Sequence, residues 1–243
     1  MSRLDRVIAE RVRSRTRAQQ LIKAGRVSVN GEVLRKPSYR LDVGDDVVVD
    51  DEKWVSRAAY KLLGALGGLS ESDIELPKLG RVLDAGASTG GFTQVLLEAG
   101  AERVYSVDVG HDQLDESLRS DTRVEVREGL NLRDLTLADL DDKPVDLIVG
   151  DVSFISLRLL LEPLSGVLAN DGMAILLVKP QFEVGKDRLE RGGVVKSESL
   201  RKLAVKQVIE AAREIGWRPV WSADSQLPGP SGNREIFVCF VGC

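Results

Sequence analysis

Histidine and cysteine are almost missing from this chain, and their scarcity removes several kinds of chemistry at once. The 243 residues hold one histidine, His111, and two cysteines, Cys239 and Cys243, both at the far end and outside any metal-binding spacing. No disulfide framework, structural zinc or metal centre is expected, and serine–histidine or histidine-cluster catalysis has no material to work with. His111 lies just past an expected strand and reads as a surface or ligand-edge residue. Long apolar runs are missing too. Nowhere do eighteen apolar residues follow one another, and the opening MSRLDRVIAERVRSRTRAQQLI is a charged helix pattern without a signal-peptide core. The expectation is a cytoplasmic protein that spans no membrane.

What is present is an ordinary soluble composition, 43% hydrophobic and 30% charged, long enough for one large domain or two unequal ones. The net charge of -4 conceals an asymmetry: residues 1–40 hold eleven Lys/Arg against three Asp/Glu, and the remainder 23 against 35. The front expects a polyanion and the rest does not.

The front segment reads as a compact α+β unit over residues 1–51. Leu4, Val7, Ile8 and Val12 recur at helical spacing, and a second helix fits Thr16 to Lys23, with Ser14 as N-cap and Gly25 as its stop. RVSVNGEVL alternates about an Asn-Gly pair, a hairpin signal, and LDVGDDVVVD supplies a further strand. Arg3, Arg6, Arg11, Arg13, Arg15, Arg17, Lys23 and Arg26 would line one helical surface with few acids among them. Such a surface reads as an RNA-phosphate contact rather than a self-paired solvated face.

Residues 52–61 read as a joint, and residues 62–243 as a second domain. Strands are expected at RVLDA, RVYSVDV, RVEVRE, VDLIVGDV, MAILLV, RPVWSAD and EIFVCFV, and helices beginning near Gly90, Asp112, Ser156 and Ser197. This alternation predicts an α/β, Rossmann-like, mostly parallel sheet. The linker SQLPGPSGNR is too short for a crossover helix, so the last strand should run antiparallel. Residues 180–196 read as one long irregular loop, in which Lys186, Arg188 and Arg191 could touch RNA.

The stretch LDAGASTGGF, residues 83–92, joins a strand to a helix through a glycine turn where a ligand meets backbone N–H groups. Its spacing departs from the G-x-G-x-x-G of dinucleotide sites, and Asp84 at the strand tip would repel a phosphate and favour a cation. S-adenosylmethionine carries a sulfonium and an ammonium group and no phosphate. The turn residues Gly86, Ser88, Gly90, Gly91 and Phe92 would hold it, with Asp108 on its ribose diol. Asn131 is a candidate for its adenine edge and reads equally well as a turn residue.

SRAAYKL at 56–62, LDAGASTGGF, GDVSFISL at 150–157, LVKPQFEVGK at 177–186 and LPGPSGNREIF at 227–237 together resemble the TlyA (haemolysin A) family of ribosomal RNA 2'-O-methyltransferases. The resemblance implies a ribosomal-protein-S-four-like RNA-binding module fused to an FtsJ-like class I methyltransferase, with S-adenosylmethionine as donor and ribosomal RNA or a ribosomal subunit as partner. It implies a cytidine target in 23S RNA, with 16S RNA added in longer members; this chain stops almost directly after its last strand. It also implies a catalytic set of Lys61, Asp151, Lys179 and Glu235. Taken singly, the lysines read as surface residues, Asp151 as a helix cap and Glu235 as a strand-edge acid.

Transfer to a ribose hydroxyl needs two atoms positioned and one proton removed. Of the two lysines, Lys179 is our choice for the proton, since its place at the end of a strand should set it beside Asp151. An RNA-binding assembly factor with an inactive fold and a membrane-active haemolysin are the alternatives. The oligomeric state has no reading in the sequence.

Overall fold

The computed structural model describes residues 2–12, 14–50, 53–190 and 192–242. The chain forms two compact units, Met1–Lys53 and Trp54–Cys243.

The first unit contains β1 (Ser2–Arg3), α1 (Leu4–Val12), α2 (Arg15–Lys23), β2 (Val27–Val29), β3 (Glu32–Val33), β4 (Arg40–Leu41) and β5 (Val47–Val49). Ser14 caps α2, its hydroxyl accepting the Arg17 N–H at 3.2 Å. Asn30 and Gly31 both take positive φ, 53° and 84°, and the hairpin β2–β3 closes around them with Val29 opposite Glu32. Leu4, Ile8, Leu21 and Ile22 pack against Val27 and Val29, so the helices bury one stripe each on a small three-stranded sheet ordered β3-β2-β5.

The second unit opens with α3 (Ala58–Glu71), a helix that begins inside the stretch expected to be a joint, residues 52–61, and runs ten residues beyond it. Its glycines, Gly64, Gly67 and Gly68, weaken the propensity signal. Burial of Ala59, Leu62, Ala65 and Leu69 on one stripe holds it nonetheless. There follow β6 (Arg81–Ala85), α4 (Gly91–Glu98), β7 (Arg103–Asp108), α5 (Glu116–Arg119), β8 (Val124–Glu128), β9 (Val145–Gly150), α6 (Leu161–Val167) and β10 (Leu168–Val178). The unit ends with α7 (Pro180–Glu183), α8 (Glu198–Glu214), β11 (Arg218–Asp224) and β12 (Ile236–Val241).

These strands form one sheet in the order β11-β12-β10-β9-β6-β7-β8. Neighbours from β10 to β8 pair parallel, and β12 runs antiparallel to both β10 and β11. The expected antiparallel last strand is present, and the fold is a Rossmann-like, mostly parallel α/β sheet. Both faces are covered. Leu83, Ile148, Leu176 and Val238 face α6 and α8, while Val82, Leu147, Leu177 and Phe237 face α3 and α4.

Three expected elements differ. The helix placed near Asp112 starts at Glu116, because Asp112 sits at φ 55° and Asp115 provides the cap through the Ser117 N–H. The helix placed near Ser156 begins as a 3-10 turn over Leu157–Leu159 before α6. The long loop is not wholly irregular: α7 and a 3-10 turn over Lys186–Arg188 occupy part of it.

Candidate active site

A parallel sheet gathers its strand ends on one rim, and strand alternation then decides which face each side chain takes. Leu147 and Val149 of β9 and Ile175 and Leu177 of β10 face α3 and α4, so continuing the alternation carries Asp151 and Lys179 to that face. Because β12 is antiparallel, its start lies at the same rim, and Glu235 shares the side of Phe237 and Cys239. Lys61 comes down from α3 to meet them. Four residues from four separate stretches of sequence therefore converge.

The contacts form a chain. Lys61 Nζ lies 2.7 Å from Glu235 Oε2 and 3.4 Å from Asp151 Oδ2. Lys179 Nζ lies 2.6 Å from Asp151 Oδ1 and donates to the Ser153 hydroxyl at 2.6 Å. Gln181 extends the chain, its amide donating to Glu235 Oε1 at 3.3 Å. Lys61, Lys179 and Glu235 are buried. Two cations and two carboxylates balance here, which lets charged groups persist with little water. Gly229 is a steric requirement of the cluster: a Cβ there would stand 2.4 Å from Glu235 Oε1.

Beside the cluster runs a cleft in two connected parts. One, about 350 Å³, is bordered by Gly86, Ser88, Asp108, Asn131, Asp151 and Phe154 among others. The other, about 530 Å³, includes Lys61, Gly91, Phe92, Lys179 and Gly229 and shares Gly86, Ser88, Asp151 and Ser153 with the first. Asp108 is fixed at the end of β7, accepting the Ser88 N–H at 2.9 Å and the Gly110 N–H at 2.7 Å. Gly86 takes φ 85°, and a Cβ there would stand 3.1 Å from Val152, so the turn approaches its neighbour as only glycine permits. Gly90, at φ 94°, caps the helix behind the turn. Asn131 uses its carbonyl oxygen to accept the Arg133 N–H. The smaller part is bordered by two carboxylates and by no lysine or arginine, a wall suited to a cationic nucleoside and unsuited to a pyrophosphate.

Asp84 departs from expectation. Its side chain is fully buried within β6, accepts the Thr93 hydroxyl at 2.7 Å and borders neither part of the cleft. Burial, only partly offset by the Thr93 hydrogen bonds, pushes its carboxyl up to about 7. A strand-interior parity, not a strand-tip position, explains the difference: Asp84 faces α4 from the body of the strand.

Sequence reasoning missed several residues that organise the site. Ser153 and Gln181 follow Asp151 and Lys179 by two positions, a spacing that could have flagged them. Glu183 accepts from the Ser156 hydroxyl at 2.5 Å and the Leu157 N–H at 2.7 Å, tying α7 to the loop after β9. On that loop Phe154 is 92% exposed at φ 67°, with its ring 5.5 Å from that of Phe182. Buried Asn233 accepts the Val195 N–H and donates to the Gly193 carbonyl, joining the end of the long loop to the segment before β12.

In the first unit the expected basic residues divide. Arg3 lies in β1 and pairs with buried Asp5 at 2.9 Å, with Arg15 at 3.6 Å from the same carboxylate; the Arg3 hydrogen bonds hold Asp5 down at about 2. Arg11 donates to the Val47 carbonyl and Arg26 pairs with Asp50 at 3.2 Å. Arg6, Arg15 and Lys23 are exposed on the helices, and Arg17 is half-buried on α2. Arg13 and Arg191 lie outside the described residues. Among the described residues no helix is long and apolar enough to cross a membrane.

Comparison with known proteins follows the same division. Residues 54–241 match the FtsJ-like methyltransferase family and residues 2–47 the S4 domain. The chain is 47% identical, over 98% of its length and 90% of the relative, to a Mycobacterium tuberculosis protein named 16S/23S rRNA (cytidine-2'-O)-methyltransferase TlyA. It is 34% identical to the 23S rRNA (cytidine-2'-O)-methyltransferase TlyA of Campylobacter jejuni, covering 98% of this chain and 99% of that one. A solved structure from Streptococcus thermophilus, provisionally named a hemolysin, superposes with a TM-score of 0.74 at 34% identity, covering 99% of this chain and 88% of that one.

Proposed function

The chain belongs to the TlyA family of FtsJ-like methyltransferases, and from that premise we propose that it methylates the 2'-hydroxyl of a cytidine in 23S ribosomal RNA with S-adenosylmethionine as donor. The observation that carries this reading is the joined Lys61–Asp151–Lys179–Glu235 cluster beside a cleft that ends at Asp108. The 23S target is the one that the names of both TlyA relatives have in common.

S-adenosylmethionine, when bound, supplies a methyl group already activated by positive sulfur. Asp108 would hold its ribose hydroxyls and Asn131 its adenine edge, while Gly86, Ser88 and Gly91 leave room for close backbone approach. The protein's remaining tasks are orientation and one proton. In this reading Lys179, oriented by Asp151 and Ser153, first gives its own proton to solvent and as the neutral amine takes the proton from the 2'-oxygen. Lys61, held by Glu235, keeps a positive charge near the developing alkoxide. Exposed Arg6, Arg15 and Lys23 of the S4 domain would contact RNA phosphates, which set register and affinity and leave sequence unread.

The test is transfer of labelled methyl to 50S and 30S subunits from cells lacking the modification, followed by nucleoside analysis. The expected product is 2'-O-methylcytidine in 23S RNA. Label in 16S RNA as well would widen the target, and no label in either would sink the reading.

A further inference from the structure

A groove of about 700 Å³ lies between α8 and the strands β11 and β12, apart from the cleft described above. Strand alternation builds it. Glu235 turns toward α3 with Phe237, while Arg234 and Ile236 turn the other way, with Val238 and Phe240, toward α8. Half-buried Val205, Ile209 and Ile236 line it with apolar surface. Its lysines are already engaged, Lys202 with Glu198 at 2.6 Å and Lys206 with Glu210 at 3.5 Å. Arg201 spends donors on the carbonyls of Val195 and Lys196. Exposed Arg213 and Arg234 carry no ion pair among the described residues, and Asp224 is the one lining acid without a partner.

We infer that this groove is a second RNA contact, taking the sugar–phosphate backbone that leads away from the target ribose, first on Arg234 and then on Arg213. The inference rests on the reading of the protein as an rRNA methyltransferase. Charge supports it, since two exposed guanidiniums without an ion pair among the described residues line one groove in a stretch, residues 41–243, that holds 35 acids against 23 basic residues. A guanidinium grips phosphate through two parallel N–H donors, which a lysine cannot do. Position supports it as well. Arg234 is the chain neighbour of Glu235 just before β12, so the groove starts at the rim of the sheet on the face opposite the cluster, and RNA leaving the target ribose over that rim meets Arg234 first. An acidic peptide would meet the same charges but has no such reason to approach this rim.

The experiment measures binding of the full protein to purified 50S subunits across a potassium chloride series, alongside methyl transfer and S-adenosylmethionine affinity. Arg213→Ala/Arg234→Ala should weaken subunit binding about tenfold, and the charge-reversed Arg213→Glu/Arg234→Glu should weaken it further. The slope of log affinity against log salt should shrink by about 1 for each arginine removed. Turnover at saturating subunit and cofactor affinity should stay within about twofold. Lys206→Ala/Arg213→Ala leaves the neighbour of Glu235 untouched and should show the same direction, with an unchanged melting temperature. Unaltered affinity and salt slope in these variants would overturn the proposal and assign the groove to a partner other than RNA. If the unmutated protein binds subunits and transfers no methyl, the enzymatic reading falls and the binding measurements still decide the groove. If it binds no subunit, both fall.

Discussion

Lys61 and Glu235 stand 174 positions apart in the chain and 2.7 Å apart in the fold. The pair closes the methyltransferase unit, joining its first helix to the start of its last strand. Their side chains are 9% and 0% exposed, so each charge depends on the other for compensation that water cannot supply. Asp151 then links this pair to Lys179, which makes the four residues of the candidate site part of the domain's closure.

Removing the Glu235 charge leaves two buried lysines to share one carboxylate, that of Asp151. Glu235→Gln is therefore expected to destabilise the protein by roughly 3 to 5 kcal/mol in urea unfolding. Adding Lys61→Met removes the surplus cation and should restore most of that stability, while methylation stays absent in both variants. Equal instability in the single and double variants would show that the ion pair is not what the fold depends on.

Lys179→Arg separates a base from a fixed charge. Arginine keeps the positive charge beside Asp151 but does not lose its proton in a protein. Binding of cofactor and RNA should persist, and single-turnover methylation should slow by roughly 10² to 10⁴. Turnover near that of the unmutated protein would leave Lys179 as an orienting charge and pass the proton to Lys61 or water.

Asp108→Ala removes a carboxylate that two backbone N–H groups hold at the cleft wall. S-adenosylmethionine binding should weaken by about 1.5 to 3 kcal/mol, the range for a hydrogen bond to a charged group. Subunit affinity should be unaffected. Titration calorimetry reads the first and filter retention the second; an unchanged cofactor affinity would remove Asp108 from the site.

The two units have separate hydrophobic cores, one around Leu4, Ile8 and Leu21 and the others on the two faces of the large sheet. Deleting residues 1–53 should therefore leave a folded protein that binds S-adenosylmethionine normally and has lost most of its salt-dependent affinity for subunits. Subunit affinity that survives the deletion at moderate salt would refute an RNA role for the first unit.

Much of this arrangement was legible because strands impose a period of two. RVLDA, VDLIVGD and MAILLV announce strands by apolar runs, and the parity of Leu147, Val149 and Asp151 or of Ile175, Leu177 and Lys179 already names the face each charged residue takes. Two kinds of information were less visible. The helix carrying Lys61 contains three glycines and is stabilised by burial against the sheet, which no local propensity encodes. The ties made by Glu183 and Asn233 span 26 to 40 residues of chain, so the residues gave no local sign of their partners. Asp84 was misplaced for a related reason: its type and position suggested a ligand contact, whereas its parity points it at Thr93.

That burial of Asp84 gives the protein a titration of its own. The carboxyl sits at about 7 in the fold and at about 3.9 when the chain is unfolded. At low pH both states hold the proton, and well above 7 neither does. Between the two values the folded state keeps a proton that the unfolded state has lost, so stability falls as pH rises through this window. The accumulated cost above pH 7 is on the order of 4 kcal/mol. Asp84→Asn keeps an oxygen that can accept the Thr93 hydroxyl and carries no titrating proton. Its own burial penalty is the same at every pH, so the slope and not the absolute stability is the quantity to compare. Urea unfolding of the cofactor-free protein from about pH 5 to 8 should show a decline in the unmutated chain that is largely flattened in Asp84→Asn. Parallel curves would mean that the carboxyl does not change charge in this range, and that the Thr93 hydroxyl and the surrounding strand dipoles are enough to hold an anion inside the sheet.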